Sequence, residues 1–283
     1  MPDEIPGINM LVAVDGTAVV AQSNATLTTS PELAEAVVKN TNFTEQRSGD
    51  QDWSLSYEGQ ITDDQAKHAL SNGNAGLDVE VDLGSGLAFE PVPGLQTITL
   101  TLEQELTSVP PGINEATGWV YYVPLRRSWS VEVEGHYYDP GGSTDGEQVY
   151  QKIHEARDAG DTLPAEVSVL GATMAGDIAA DSMDVEAGTD DQASYALSFM
   201  GSGAVTKNGT FETTIASLID LYFNQSEATA ALRHETDGSV VSGSTLWEGT
   251  ALVSSLEIEL ARNAYPTLSA ELQGDGELTR TTQ

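Results

Sequence analysis

The sequence predicts a mainly β chain with short helices packed against its sheets, organised as two related units. Two observations lead there. A seven-residue strand pattern occurs four times, as Trp53-Ser-Leu-Ser-Tyr-Glu-Gly59, Trp129-Ser-Val-Glu-Val-Glu-Gly135, Tyr195-Ala-Leu-Ser-Phe-Met-Gly201 and Leu268-Ser-Ala-Glu-Leu-Gln-Gly274. Its first, third and fifth positions are apolar and its second and fourth small or polar, the period of two of a half-buried strand. In addition, residues 176–186 line up without gaps on 249–259, at the same 73-residue offset that separates Gly201 from Gly274. A match of that length indicates an internal duplication, with a period too long for a solenoid of small repeats.

The elements follow in order. Met10–Val14 and Thr17–Ala21 alternate on either side of Asp15-Gly16, a hairpin signal. Residues 30–38 are ambiguous: Ser30-Pro31 suits a helix start, whereas Val37 and Val38 would extend a strand. After the Trp53 strand, Thr62–Leu70 opens with a capping threonine and acidic residues and predicts a helix, followed by a strand over Leu77–Leu83. Pro91, Pro93, Pro110 and Pro111 bracket a candidate linker. Gln96–Leu102 alternates and precedes the Trp129 strand. Gly146–Arg157 places Val149, Ile153 and Ala156 on one helical face, and a strand over Ala165–Leu170 follows. Phe211–Phe223 carries Ile215, Leu218, Ile219 and Tyr222 at helical spacing, followed by a strand over Ala228–His234. Leu252–Leu260 alternates before the last repeat. The glycine that closes each repeat (Gly59, Gly135, Gly201, Gly274) suits either a positive φ or a close backbone approach. Trp53, Trp129, Tyr195 and Leu268 at the first position are expected in the core.

Composition bounds the function. The chain has 283 residues, with 44 Asp+Glu against 11 Lys+Arg, a formal net charge of −33. Such a surface repels phosphates and anionic lipid, which excludes duplex wrapping and membrane-surface binding. The acids are spread along the chain, and hydrophobic residues make up 39%, enough for a core rather than a disordered tail. Self-repulsion at this charge weakens a compact state in dilute buffer, and at ~1 M salt the screening length falls to about 3 Å. A high-salt environment is therefore expected, the alternative being a merely acidic mesophilic protein. There is no cysteine, hence no disulfide, thiolate metal site or cysteine nucleophile. The start, Met1–Met10, lacks a basic stretch followed by an apolar run, so no signal peptide is expected.

Catalytic chemistry finds little support. His68, His136, His154 and His234 lie on separate elements without metal-ligand spacing. No G-x-S-x-G occurs, and Gly84-Ser-Gly86 and Gly201-Ser-Gly203 are not followed by a P-loop lysine. The acidic stretches 139–145 and 181–191 lack an EF-hand register. No cofactor, metal or catalytic residue is assigned. Arg126-Arg127, the basic pair, is either exposed or a bridge to an acidic neighbour.

The order of strand, Asp-Gly turn, strand, Trp53–Gly59, short helix and strand, with the later Gly249-Thr-Ala-Leu252 strand and closing Leu272–Leu278, resembles the major tail tube proteins of long-tailed double-stranded DNA viruses. The resemblance is carried by Val12–Leu27, Trp53–Gly59, Tyr121–Tyr137, Gly176–Val205 and Gly249–Leu278. It implies tail-tube-type β-sandwich domains, each with a flanking helix, contributing strands to an inter-subunit β-barrel. It also implies a virion tail protein made in the host cytoplasm, with rings stacked into a tube between other tail proteins, and DNA crossing the lumen without specific binding. Carrying the elements twice, the chain is expected to nest one domain (95–206) inside another (1–85 with 207–283), joined by a linker at 86–94. Side-by-side domains split near residue 140 are the alternative. Two domains per chain imply a trimeric ring of pseudo-sixfold symmetry, or else a hexameric ring. The competing function is a secreted or surface module that binds carbohydrate or protein; a hydrolase ranks third.

Overall fold

The computed structural model describes residues 10–18, 22–37, 44–61, 77–82, 89–109, 118–137, 144–169, 172–186, 193–209, 216–236, 239–262 and 264–282. The strands are β1 (Met10–Val14), β2 (Thr17–Ala18), β3 (Gln22–Val37), β4 (Thr44–Gln60), β5 (Leu77–Val81), β6 (Glu90–Pro91), β7 (Leu95–Val109), β8 (Tyr121–His136), β9 (Thr162–Val169), β10 (Ala172–Glu186), β11 (Ser194–Asn208), β12 (Ala228–Thr236), β13 (Ser239–Val240), β14 (Thr245–Ala261) and β15 (Thr267–Thr282). Two helices, α1 (Thr144–Ala159) and α2 (Ala216–Asn224), complete the described elements. The fold is mainly β, and all its named pairings are antiparallel. The helix expected over 62–70 lies outside the described residues.

The Asp15-Gly16 turn adopts positive φ at both residues, 49° and 77°, the primed geometry that matches the twist of a two-residue hairpin. The ambiguous stretch after Ser30 is strand: β3 runs through Pro31 to Val37 against β4. Pro31 sits at a register shift on a strand with one partner, where its missing N–H costs no ladder bond. α1 buries Val149, Ile153 and Ala156 as its spacing predicts, and α2 buries Leu218, Ile219 and Tyr222.

The stretch expected as a linker is tied into the sheet. Glu90 and Pro91 pair with β5, Val92 N donates to Val79 O at 2.8 Å, and His136 N donates to Gly94 O at 2.9 Å. The Pro93 carbonyl accepts both the Tyr150 and Tyr195 hydroxyls, each at 2.8 Å. β5, which the nested division assigns to the first unit, pairs instead with β9 of the second. Strand partners are chosen by tertiary packing, and a chain boundary drawn at prolines does not register them.

One packing arrangement occurs twice. The Trp53 indole lies on Gly249 and Gly274, and the Trp129 indole lies on Gly176 and Gly201. A Cβ on Gly249 would come within 2.5 Å of Trp53 Cζ2, and one on Gly176 within 2.8 Å of Trp129 Cζ2. Close approach is therefore what the repeat glycines supply at Gly135, Gly201 and Gly274; none of the four closing glycines has a positive φ. Positive φ falls two residues later, at Gly203 and Gly276. The register shifts match as well. β3 against β4 is shifted between Gln22/Asn24 and Pro31/Leu33, and β7 against β8 between Leu95/Thr97 and Gln104/Leu106. Each bulge adds a residue and a local bend, so equal bulges bend the two strand pairs alike.

Trp53, Trp129, Tyr195 and Leu268 are all buried, in one continuous core. Gly274→Ala is expected to destabilise the chain by about 1–3 kcal/mol through overpacking against Trp53. Adding Trp53→Leu should recover part of the lost urea midpoint, because the collision is with the indole. Burial pushes the Tyr195 phenol up to about 12, and burial with the neighbouring Tyr195 pushes Tyr150 above the usual tyrosine range. These raised values favour the folded state fully below the unfolded phenol pKa of ~10 and lose that contribution as pH rises through about 12. The urea midpoint should therefore fall between pH 10 and 12, and by less in Tyr195→Phe.

Candidate functional site: an acidic face on an eight-stranded arc

Eight strands form an unbroken antiparallel arc in the order β3-β4-β15-β14-β7-β8-β11-β10. Alternation sends one set of side chains into the core, including Trp53, Leu55, Tyr57, Leu268, Ala270, Leu272, Leu256, Ile258, Leu100, Leu102, Val131, Val133, Leu197 and Phe199. The other set faces outward. It comprises Asn24, Thr26 and Thr28 on β3, Ser54, Ser56 and Glu58 on β4, Ser269 and Glu271 on β15, and Ser255, Glu257 and Glu259 on β14. Thr97, Thr99, Thr101 and Glu103 on β7, Glu132 and Glu134 on β8, Ala196 and Ser198 on β11, and Asp184 and Glu186 on β10 continue it.

The carboxylates on this face are staggered. Glu58 lies opposite Asn24 and Ser269, and Glu271 opposite Ser56 and Ser255. Glu257 lies opposite Ser269 and Thr101, Glu259 opposite Thr267 and Thr99, and Glu103 opposite Ser255 and Ser128. Glu132 meets Thr99 and Ser198, and Glu134 meets Thr97 and Ala196. Like charges directly opposite one another destabilise a strand pair, so a small or hydroxyl residue beside every acid is what allows the face to be this acidic. Asp52, toward one rim, is held by the Tyr122 hydroxyl at 2.9 Å and Gln273 Nε2 at 2.7 Å.

The basic side chains lie elsewhere among the described residues. Lys207 pairs with Asp220 of α2, Arg233 with Glu235, and Arg157 with Asp158 on α1. Arg127 donates to Phe223 O at 2.8 Å and lies 5.9 Å from the Tyr222 ring centroid, fastening α2 to β8. Both members of the basic pair are exposed, and Arg127 bonds a backbone carbonyl of its own chain rather than a carboxylate. Tyr222 donates toward Glu103 O and Ser128 O, at 3.2 and 3.1 Å.

No group of three or more His, Asp or Glu among the described residues is placed to hold a metal ion. His154 is on exposed α1 surface, 3.2 Å from Asp158, while His136 and His234 lie on β8 and β12. His68 and, of the two acidic stretches, 139–143 and 187–191 fall outside the described residues. Among the described residues, no helix is long and apolar enough to cross a membrane.

The arc ends on two unpaired edges. β14 divides one of its edges between β12 (247–251) and β7 (255–261). β10 gives the corresponding edge to β9 only over 172–179, so among the described residues the outer edge of 182–186 has no strand partner. At the far end, β3 is paired on one side only, to β4. Sequence reasoning singled out the repeat aromatics and glycines, which hold the arc from behind, and did not locate the acid rows or the free edges. The signal for the rows is present as Ser/Thr–Glu alternation, as in Thr97, Thr99, Thr101 and Glu103.

No family model matches the sequence, and no curated protein matches it. Among solved structures, part of the chain is similar to a chain of the virion of a native gene transfer agent particle, at 20% identity and TM-score 0.40, over 47% of this chain and 95% of that one. It is similar to a chain of the tail of an empty gene transfer agent particle, determined with C6 symmetry, at 22% identity and TM-score 0.39, over 46% of this chain and 93% of that one. It is also similar to the SPP1 tail tube, at 17% identity and TM-score 0.34, over 50% of this chain and 83% of that one.

Repulsion between diagonal neighbours on the acidic face should be relieved by Glu257→Gln with Glu271→Gln. A stabilisation of about 0.2–1 kcal/mol per site is expected in dilute buffer, shrinking toward zero in 1 M KCl. Urea denaturation at the two salt concentrations measures it.

Proposed function

We propose that this chain is a structural subunit of a viral tail tube, assembling into rings that stack around a conduit for DNA. The observation that carries the reading is the eight-stranded arc: one face apolar and buried, the other acidic and hydroxyl-bearing, with both terminal edges unpaired. Long unpaired edges invite further strands, and a ring removes them as a closed barrel does. A heterologous contact of this kind repeats until it closes.

The twofold occurrence of the Trp-on-glycine packing and of the bulges supports two homologous tube units per chain. In this reading one unit comprises 10–61 with 216–282, and the other 77–209, since β5 pairs with β9 as β1 pairs with β12. Each unit contributes four strands to the arc. Three chains supply about 24 strands, which at ~4.8 Å spacing and ~40° tilt close a barrel of about 48 Å backbone diameter. That leaves room for a duplex. The acidic face lines the lumen, where carboxylates repel phosphates and keep the polymer moving rather than bound. The ring is thus trimeric and pseudo-sixfold, stacked between other tail proteins, and the tube delivers a genome to a host living at high salt. No enzymatic role is proposed.

Electron microscopy of the purified protein in molar KCl tests the proposal. Stacked rings are expected, with native mass measurement giving three chains per ring. Monodisperse monomers at all salt concentrations overturn it, and rings of six chains overturn the count. In assembled particles, Glu257→Lys with Glu132→Lys should slow DNA release, because cations in the lumen hold phosphates.

A further inference from the structure

The seam inside the chain shows how the open seam closes. At the inner seam, Leu256 lies opposite Leu102, Ile258 opposite Leu100 and Leu260 opposite Ile98, all buried. On the outward face, Glu257 lies opposite Thr101 and Glu259 opposite Thr99, and the pairing ends at Ser255–Glu103. Moving both strands back by the 73-residue repeat lands on the two unpaired edges. Met183 then lies opposite Thr29 and Val185 opposite Leu27 on the apolar face. Asp184 meets Thr28, Glu186 meets Thr26, and Ser182 meets Ser30 on the polar face.

We propose that the β10 edge at 182–186 pairs antiparallel with the β3 edge at 26–30 of a second copy of this chain, in the register of the β14–β7 seam. The inference rests on the tube reading and specifies its contact. Four features of the single chain support it. The acid-opposite-threonine pattern is kept, so the staggered charge continues across the junction. Val185 is 49% exposed in the isolated chain, whereas its counterpart Ile258 is 1% exposed. Pro31, which has no N–H to offer, stands directly after Ser30, where the inner seam also stops pairing.

The fourth feature lies behind the seam. At the inner seam, residues 118–122 cover the end of the first unit. Gln51 N donates to Gly118 O at 2.6 Å, Gly276 N to Val120 O at 3.0 Å, and Tyr122 N to Asp275 Oδ1 at 2.6 Å. The Trp53 indole beneath donates to Gly276 O at 3.0 Å. Among the described residues, no segment covers the matching end of the second unit in this way, and a cleft lined by Leu125, Arg127 and Gly203 is left there beside Trp129, whose buried Nε1 has no partner among them. A second copy seated on β10 would bring the start of its β4 over this cleft, as residues 118–122 cover the first unit.

Paired cysteines test the register, because the chain has none of its own. Asp184→Cys with Thr28→Cys should form interchain disulfides in assembled protein, giving a denaturing-gel ladder that ends at the ring size. Glu257→Cys with Thr101→Cys, the inner-seam equivalent, calibrates oxidation within one chain. Asp184→Cys with Thr26→Cys, slipped by two residues, should cross-link at least about tenfold less. Rings in which the inner pair oxidises and the Asp184/Thr28 pair does not overturn this contact and leave the tube reading standing. A chain that stays monomeric overturns both. Val185→Asp gives a second readout: the monomer's urea midpoint should be unchanged while rings are lost, and rings that persist count against the contact.

Discussion

A β-strand carries donors and acceptors along both of its edges, and each must find a partner or water. Strand β14 meets this constraint by dividing one edge, its first half against β12 and its second against β7. That division turns two half-molecules into a single sheet. β5 likewise leaves the segment that precedes it and pairs with β9, as β1 pairs with β12. β10 is built like β14 but, among the described residues, keeps only the first of the two partnerships.

The indole-on-glycine packing holds the register that makes the division work. An aromatic ring of this size buries about 150–250 Å², so each tryptophan dominates its part of the core. It reaches that burial only because glycines on the adjacent strand and on the one beyond it leave room for it. A one-residue slip would send the apolar row outward and the acid row into the core, so the paired Trp–Gly contacts and the matching bulges specify the alignment strongly. α2 sits over the same junction, with Tyr222 reaching the backbones of β7 and β8 and Arg127 returning a hydrogen bond to Phe223 O.

Charge is handled by geometry as much as by solvent. A net charge of −33 on a chain of 283 residues sets up a strong self-repulsion. On the arc, carboxylates stand opposite serine, threonine, asparagine or alanine, and the described basic residues serve the helices and the rims. A face that is acidic yet free of directly opposed acids keeps its charge without pulling the sheet apart.

Much of this was legible in the chain itself. Period-two alternation is a local property, so the strands around Trp53, Trp129, Tyr195 and Leu268 and their burial could be read directly, as could the Val149/Ile153/Ala156 helix face and the Asp15-Gly16 hairpin. The 73-residue offset likewise revealed that related segments recur. Local pattern is silent about partners, however. It left residues 30–38 between helix and strand, drew a linker through the stretch where Pro93 O accepts two tyrosine hydroxyls, and did not name β9 as the partner of β5. Which edge meets which, which acids share a face, and which edges stay open were decided only by tertiary structure, because hydrogen-bond pairing joins residues a hundred or more positions apart and depends on a shared core that no single segment contains.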